Sequence, residues 1–379
     1  MQIIRRLLEI DLPPGRSAFL WGPRKVGKTH WLRHQFAPKP SSYIDLLETD
    51  TLADYASRPA LLRERWRGGL TIIDEIQKVP ALLDEVHGLI EHQRATFLLT
   101  GSSARKLRRG HANLLGGRAW RYEMGPLSAR EVKGFDLEHA FRAGLIPMHL
   151  LSTEPARDLR AYVADYLREE IAAEAAVQNM PAFTDFLRVA ALTSSELLNY
   201  ENVARECGVS AKVVRGYFQI LEDTLLGWRL PPWTRSRDRR MILTEKFYLF
   251  DVGVTNHLAR RSPVAGNTDF GKSFEHWVLM ELTNYRRYRA PDLEIAFWRT
   301  SSGQEVDFVL GDMEVAIEVK SASRVHEGDL RGLDALRDSH RTKHALLVCS
   351  ESQPRVMNGV DIVPWRVFLD RLWDGDLLR

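Results

Sequence analysis

Hydrophobic patterning divides the chain into three stretches. Up to about Pro126, short apolar runs alternate with amphipathic segments. Ala18–Trp21, Ser42–Leu46, Leu70–Asp74 and Thr96–Thr100 read as buried strands, with helix-compatible sequence between them. That alternation predicts an α/β fold with a parallel sheet. The second stretch, 127–263, has helical periodicity. Over Asp158–Val177 it places Tyr162, Tyr166, Leu167, Ile171 and Ala175 on one broad face. The third, 264–379, returns to mixed α and β: a helix over Phe270–Tyr288, strands at Glu294–Thr300, Glu305–Leu310 and Val315–Lys320, a helix near Asp329–Ser339, a strand at Ala345–Cys349 and a last helix near Val367–Asp374. Three domains, 1–126, 127–263 and 264–379, suit a chain of 379 residues.

Composition narrows the class. Hydrophobic residues at 44% and charged residues at 27% describe a soluble globular protein. A net charge of +3 is too small for a general polycation, so any nucleic-acid contact has to come from a local patch. The two cysteines, Cys207 and Cys349, lie far apart, which excludes a disulfide framework and a cysteine zinc site. Charges interrupt the apolar run of Met1–Leu12, making it a poor signal peptide, and no uncharged stretch is long enough to cross a bilayer. A cytoplasmic protein with no membrane partner is expected. The histidines show no metal-ligand spacing, and His276 reads as a solvated helix residue.

Gly22-Pro23-Arg24-Lys25-Val26-Gly27-Lys28-Thr29 fits GxxxxGK[ST] between a strand and a helix. The glycines let backbone N–H groups turn inward around phosphates, Lys28 would reach the β- and γ-phosphates, and the Thr29 hydroxyl would ligate Mg²⁺. ATP is the expected ligand. About 45 residues further on, with another strand between, the apolar strand Thr71-Ile72-Ile73 ends in Asp74-Glu75. Asp74 would hold Mg²⁺ through water, and Glu75 would orient or deprotonate the attacking water. At the end of the next strand, Thr100 is the first choice for a γ-phosphate sensor and Ser102 the second. Arg118 reads either as a cation stabilising transition-state charge, in its own or a neighbouring subunit, or as a structural ion pair.

These segments resemble the AAA+-like ATPases of archaea and bacteria that carry a C-terminal DUF4143 domain. The resemblance rests on Trp21–Thr29, Ile73–Pro80, Leu99–Arg105, Gly117-Arg118, Pro126-Leu127-Ser128, Lys246–Gly253 and Glu305–Phe308, taken in that order. It covers nearly the whole chain. It implies an ATPase core, a winged-helix-like middle and a C-terminal fold like the PD-(D/E)XK nucleases.

In the middle stretch, Asn202–Ser210 reads as a helix stopped by Gly208, with Ser210 capping a second helix over Ala211–Asp223. Ala211, Lys212 and Arg215 would face outward. Arg235, Arg237, Arg239 and Arg240 follow where a wing hairpin would lie, and would neutralise DNA phosphates. The same module also reads as an internal packing element that reports nucleotide state.

In the last stretch Asp307, Glu318 and Lys320 flank a turn signal at Gly311-Asp312. Pairing about that turn sets Asp307 opposite Ile317 or Glu318, and Glu318 and Lys320 point to one face. The two acids would share Mg²⁺ or Mn²⁺, and Lys320 would activate water or stabilise phosphate charge. By resemblance, Glu275 completes this metal site. The leading reading is an ATP-dependent DNA-processing protein, with a nuclease centre acting on branched or structured DNA. The rival is a nucleotide-dependent switch whose C-terminal domain docks a protein or DNA without cutting. A helicase ranks last for want of a helicase motif. Oligomeric state stays open.

Overall fold

A computed structural model describes residues 4–378 apart from 14, 37, 103–114, 171–176, 178 and 235–243, and gives only the backbone of 168–170. Arg235, Arg237, Arg239 and Arg240 therefore lie outside the described residues, as do Ile171, Ala175 and the Ser103–Arg105 end of the Leu99 segment. The chain divides into two compact units. The first is Met1–Leu127 with Asp223–Leu226, and the second is Ser128–Glu222 with Gly227–Arg379. The middle and C-terminal stretches, read as separate domains from their patterning, thus lie in one unit.

The first unit is built on a five-stranded sheet in the order β2-β3-β4-β1-β5. Its strands are β1 (Ser17–Trp21), β2 (Ser42–Asp45), β3 (Leu70–Asp74), β4 (Thr96–Gly101) and β5 (Ala119–Glu123). Every pairing is parallel. β1 is buried along its whole length, as a central parallel strand must be, which is why it reads as an unbroken apolar run. The sheet packs its helices around a core that includes Phe19, Trp21, Ile73, Val86, Phe97 and Leu99. Register aligns Trp21 with Gly101 and Asp45 with Asp74, so the carboxyl ends of β1, β3 and β4 come out at one sheet edge.

The second unit holds the helical middle and a six-stranded mixed sheet. Three helices (Met180–Leu192, Tyr200–Cys207 and Ala211–Asp223) lead into an antiparallel ribbon of β6 (Gly227–Leu230) and β7 (Lys246–Leu249). The sheet runs β12-β13-β11-β10-β9-β8, from β8 (Ile295–Arg299), β9 (Glu305–Leu310), β10 (Val315–Val319), β11 (His344–Cys349), β12 (Arg355–Met357) and β13 (Val360–Pro364). The helical face predicted over Asp158–Val177 begins as an α-helix (Pro155–Ala161) and widens into a π-type helix (Tyr162–Glu170), with Tyr162 and Leu167 buried. The long helix Thr268–Arg289 carries Phe274 and Trp277 into the core, where Trp277 meets Phe135 and Trp365. Asp251 caps the helix Val252–Ala259 through Val254 N–H at 2.9 Å and holds Leu145 N–H at 2.7 Å. The Lys246–Gly253 segment is thus partly a structural joint.

Glu281, on the long helix, is fully buried. It accepts from Ala129 N–H at 2.7 Å, the Ser128 hydroxyl at 2.6 Å and the Trp373 indole at 3.3 Å. Burial pushes its carboxyl up to about 7 against these donors. The folded state therefore holds this proton where the unfolded chain, with an ordinary glutamate near 4.5, has released it. Stability from this group is fully present below pH 4.5 and is lost as pH rises toward 7, by up to roughly 3 kcal/mol. Glu281→Gln should flatten that part of the pH–stability curve in urea unfolding. An unchanged slope would mean that Glu281 titrates normally.

Candidate active site

The bend after β1 is shaped by close approach. A side chain at Gly22 would overlap the Met124 carbonyl oxygen, and Gly22 N–H donates to Gly101 O at 3.3 Å. Lys25 and Gly27 take left-handed conformations, with φ of 64° and 99°. Helix Lys28–His34 starts directly after Gly27. Of the other loop residues, Pro23 and Val26 are buried, Arg24 is half-buried and Lys25 is exposed. The Lys28 ammonium is buried and donates to Gly22 O at 2.7 Å and Pro23 O at 3.1 Å, so in the free protein it closes its own loop. Burial lowers its pKa, while Glu75 and Asp74 pull it back up.

Asp74 gathers the hydroxyls around it. Its Oδ2 accepts from Thr29 at 2.7 Å and Tyr43 at 2.8 Å, and its Oδ1 accepts from Thr100. Thr100 Oγ1 also accepts the Glu75 N–H at 3.2 Å. The proton of this hydroxyl thus goes to Asp74, and Thr100 braces the acid pair. Ser102 accepts from Gln77 Nε2 at 3.1 Å, and the same amide nitrogen holds the Glu75 carboxylate. Glu75 sits in the left-handed region at φ 62°, a conformation that costs a non-glycine residue about 1 kcal/mol. Thr29 and Asp74 bring hydroxyl and carboxylate oxygens side by side, the hard donors that Mg²⁺ prefers. Arg118 pairs with Glu91 of its own chain, both side chains being partly exposed.

Patterning missed three contributors. Tyr43 reaches Asp74 from the neighbouring strand. Gln77 holds Glu75 from two residues on. Arg6 threads under the loop, donating to Val26 O at 2.7 Å, Gly125 O at 2.8 Å and Pro126 O at 3.2 Å. An arginine within an apolar N-terminal run was the only local signal for it.

In the second unit the β9–β10 ladder pairs Phe308 with Ile317, and the next step brings Asp307 level with Glu318. Asp307 Oδ2 accepts Val319 N–H at 2.8 Å. Lys320 Nζ lies 2.6 Å from Glu318 Oε1. Glu275 accepts from the Tyr248 hydroxyl at 2.6 Å and lies 3.6 Å from Lys246 Nζ, which also pairs with Glu305 at 2.5 Å. Burial and the neighbouring Glu318 and Glu275 raise Asp307 well above the usual carboxylate range, and burial raises Glu318 too. Among the described residues no three His, Cys, Asp or Glu side chains form a group able to hold a metal, so the expected trio of Glu275, Asp307 and Glu318 is not assembled as a ligand set here. The physical reason is that Lys246 and Tyr248 engage Glu275, Lys320 engages Glu318, and the Val319 N–H engages Asp307. Lys246 and Tyr248, remote in sequence, carried no sign of this role. His276 is not solvated as expected. It is buried, bonds Leu249 O at 2.7 Å through Nε2, and is pushed down to about 4 by burial.

In the middle stretch the two helices run over Tyr200–Cys207 and Ala211–Asp223. Gly208 ends the first helix in a left-handed conformation, and Ser210 Oγ accepts Val213 N–H at 3.4 Å. Lys212 and Arg215 are exposed, with Arg215 lying over the Tyr200 ring.

A parallel sheet with the acidic strand separated from the loop strand by one braced strand is the fold of a P-loop ATPase. Residues 15–133 match the family model described as an AAA domain, and residues 270–368 match a domain of unknown function, DUF4143. Residues 135–265 match another domain of unknown function, DUF8612. An AAA domain and, C-terminal to it, a DUF4143 domain are thus both found in the chain. It is 28% identical over 321 residues to the uncharacterized proteins Rv2008c of Mycobacterium tuberculosis and Mb2031c of Mycobacterium bovis, covering 80% of this chain and 70% of each relative. Among solved structures it is similar to the Aeropyrum pernix ORC2 protein in its ADPNP–ADP complexes, at 12% identity and a TM-score of 0.35 over 65% of this chain and 88% of that one. The ADP form gives 13% and 0.28 over 56% and 81%. Among the described residues no helix is long and apolar enough to cross a membrane.

Proposed function

We propose that this protein binds and hydrolyses ATP with Mg²⁺ and uses the nucleotide state to govern an interaction with DNA. The observation that carries the reading is the run of hydrogen bonds in which Thr29 and Thr100 donate to Asp74 and Thr100 accepts the Glu75 N–H, which ties the phosphate loop to the acidic strand. When bound, Mg²⁺ would be held by Thr29 and Asp74 and would offset phosphate charge. Lys28 would leave the Gly22 and Pro23 carbonyls for the phosphates. Glu75, oriented by Gln77, would accept the proton of the attacking water. The Arg118–Glu91 pair supports the structural reading of Arg118 over the transition-state one.

DNA contact is supported by the exposed Lys212 and Arg215 on the second helix of the module and by the ribbon that follows it. For the C-terminal domain the lysine-engaged carboxylates favour the docking reading over metal-dependent cleavage of branched DNA. The test is fluorescence anisotropy on linear and branched DNA across a salt series, with and without a non-hydrolysable ATP analogue. Lys212→Ala and Arg215→Ala should each weaken binding uniformly across sequences and reduce the salt slope by about one. Wild-type protein that binds no DNA at low salt would end the DNA reading and leave the ATPase standing.

A further inference from the structure

The buried end of β7 places a lysine where the acids of the neighbouring elements converge. Lys246 is 2% exposed, and its ammonium lies 2.5 Å from Glu305 Oε1, 3.6 Å from Glu275 Oε1 and 5.4 Å from the Phe297 ring centre. Lys320 holds Glu318, and Arg299 holds the other oxygen of Glu305 at 2.5 Å. Three cations therefore face four carboxylates, Glu275, Glu305, Asp307 and Glu318. With all four carboxylates counted as ionised, a divalent ion added to this set would turn a single negative excess into a single positive one beside a buried ammonium. One buried oxygen, Glu318 Oε2, has no protein partner. Mg²⁺ and Ca²⁺ draw six or more oxygen ligands around them, and here Lys246, Lys320, Arg299, Tyr248 and the Val319 N–H already engage oxygens of all four carboxylates.

We propose that Lys246 is the resident cation of this acidic pocket, standing in for a metal, and that the pocket takes up a divalent ion only when the lysine is removed. The ammonium supplies the compensating charge permanently, so the C-terminal domain keeps its shape in the absence of metal. This bears on the second unit alone and does not depend on ATP binding by the first.

Mn²⁺ binding to the nucleotide-free full chain, followed by electron paramagnetic resonance, tests it. All proteins carry Thr29→Ala to weaken the metal position beside the phosphate loop. With Lys246 intact, no stoichiometric Mn²⁺ site is expected. Lys246→Met should gain one bound ion per chain, and adding Asp307→Asn should remove it again. The proposal is overturned if the lysine-containing protein binds one Mn²⁺ that Asp307→Asn abolishes, or if folded Lys246→Met protein gains none. Should Lys246→Met not fold, the comparison of the lysine-containing protein with and without Asp307→Asn decides alone. ATP affinity enters none of these readouts, so failure here is distinct from failure of the ATPase reading.

Discussion

Lys28→Ala is expected to reduce ATP hydrolysis by at least about a hundredfold, the loss typical of removing one fixed cation or donor from a charge-developing site. The geometry explains why no neighbour substitutes. The ammonium is buried at the mouth of the loop, held by Gly22 and Pro23 oxygens, so its swing to phosphate needs only the exchange of those two bonds. Arg24 and Lys25 flank the same bend but are half-buried and exposed, and neither follows Gly27 at the helix start. Some stability should be lost as well, because Asp74 and Glu75 lose a buried cation and the Gly22 and Pro23 oxygens lose their donor. A coupled phosphate-release assay beside a urea melt separates the effects. Near-normal turnover in the variant would mean that hydrolysis, if present, occurs elsewhere.

Lys246→Met should destabilise the second unit by about 3–5 kcal/mol, the cost of stripping one partner from a buried ion pair. Glu275 and Glu305 would both lose the ammonium, and Arg299 reaches only one of them. Adding Glu305→Gln to Lys246→Met should recover part of the loss, since it removes one of the uncompensated charges, and urea unfolding of the four proteins in the cycle measures the coupling. A loss below about 1 kcal/mol would show that the pocket is wet enough to need no counter-ion.

What could be read from the chain was what is local. The phosphate loop, the acidic strand end and the helix–glycine–serine–helix module are contiguous, and each showed itself through spacing alone. Central strands such as β1 declare themselves because both faces are buried. β5 was missed because it is an edge strand whose Trp120, Arg121 and Tyr122 mix polarity with size. The Asp307–Glu318 pairing followed from one hairpin. Whether those acids meet a metal or a lysine depended on β7, on the long helix and on a pairing between residues 59 positions apart in Lys246 and Glu305, and no periodicity reports such convergence. Thr100 stands out in the sequence as a polar residue at a strand end, but its bond to Asp74 shows only once β3 and β4 are aligned. His276 faces inward because most of the long helix is buried, with only Gly271, Lys272 and Glu275 reaching solvent near that turn.

Isothermal titration calorimetry of the nucleotide-free protein with a non-hydrolysable ATP analogue, in the presence and absence of Mg²⁺, tests the central claim most directly. One analogue per chain should bind, more tightly with Mg²⁺ than without, and Lys28→Ala should lose most of that affinity. Absence of binding by wild-type protein with Mg²⁺ supplied, or binding indifferent to both Mg²⁺ and Lys28, would contradict it.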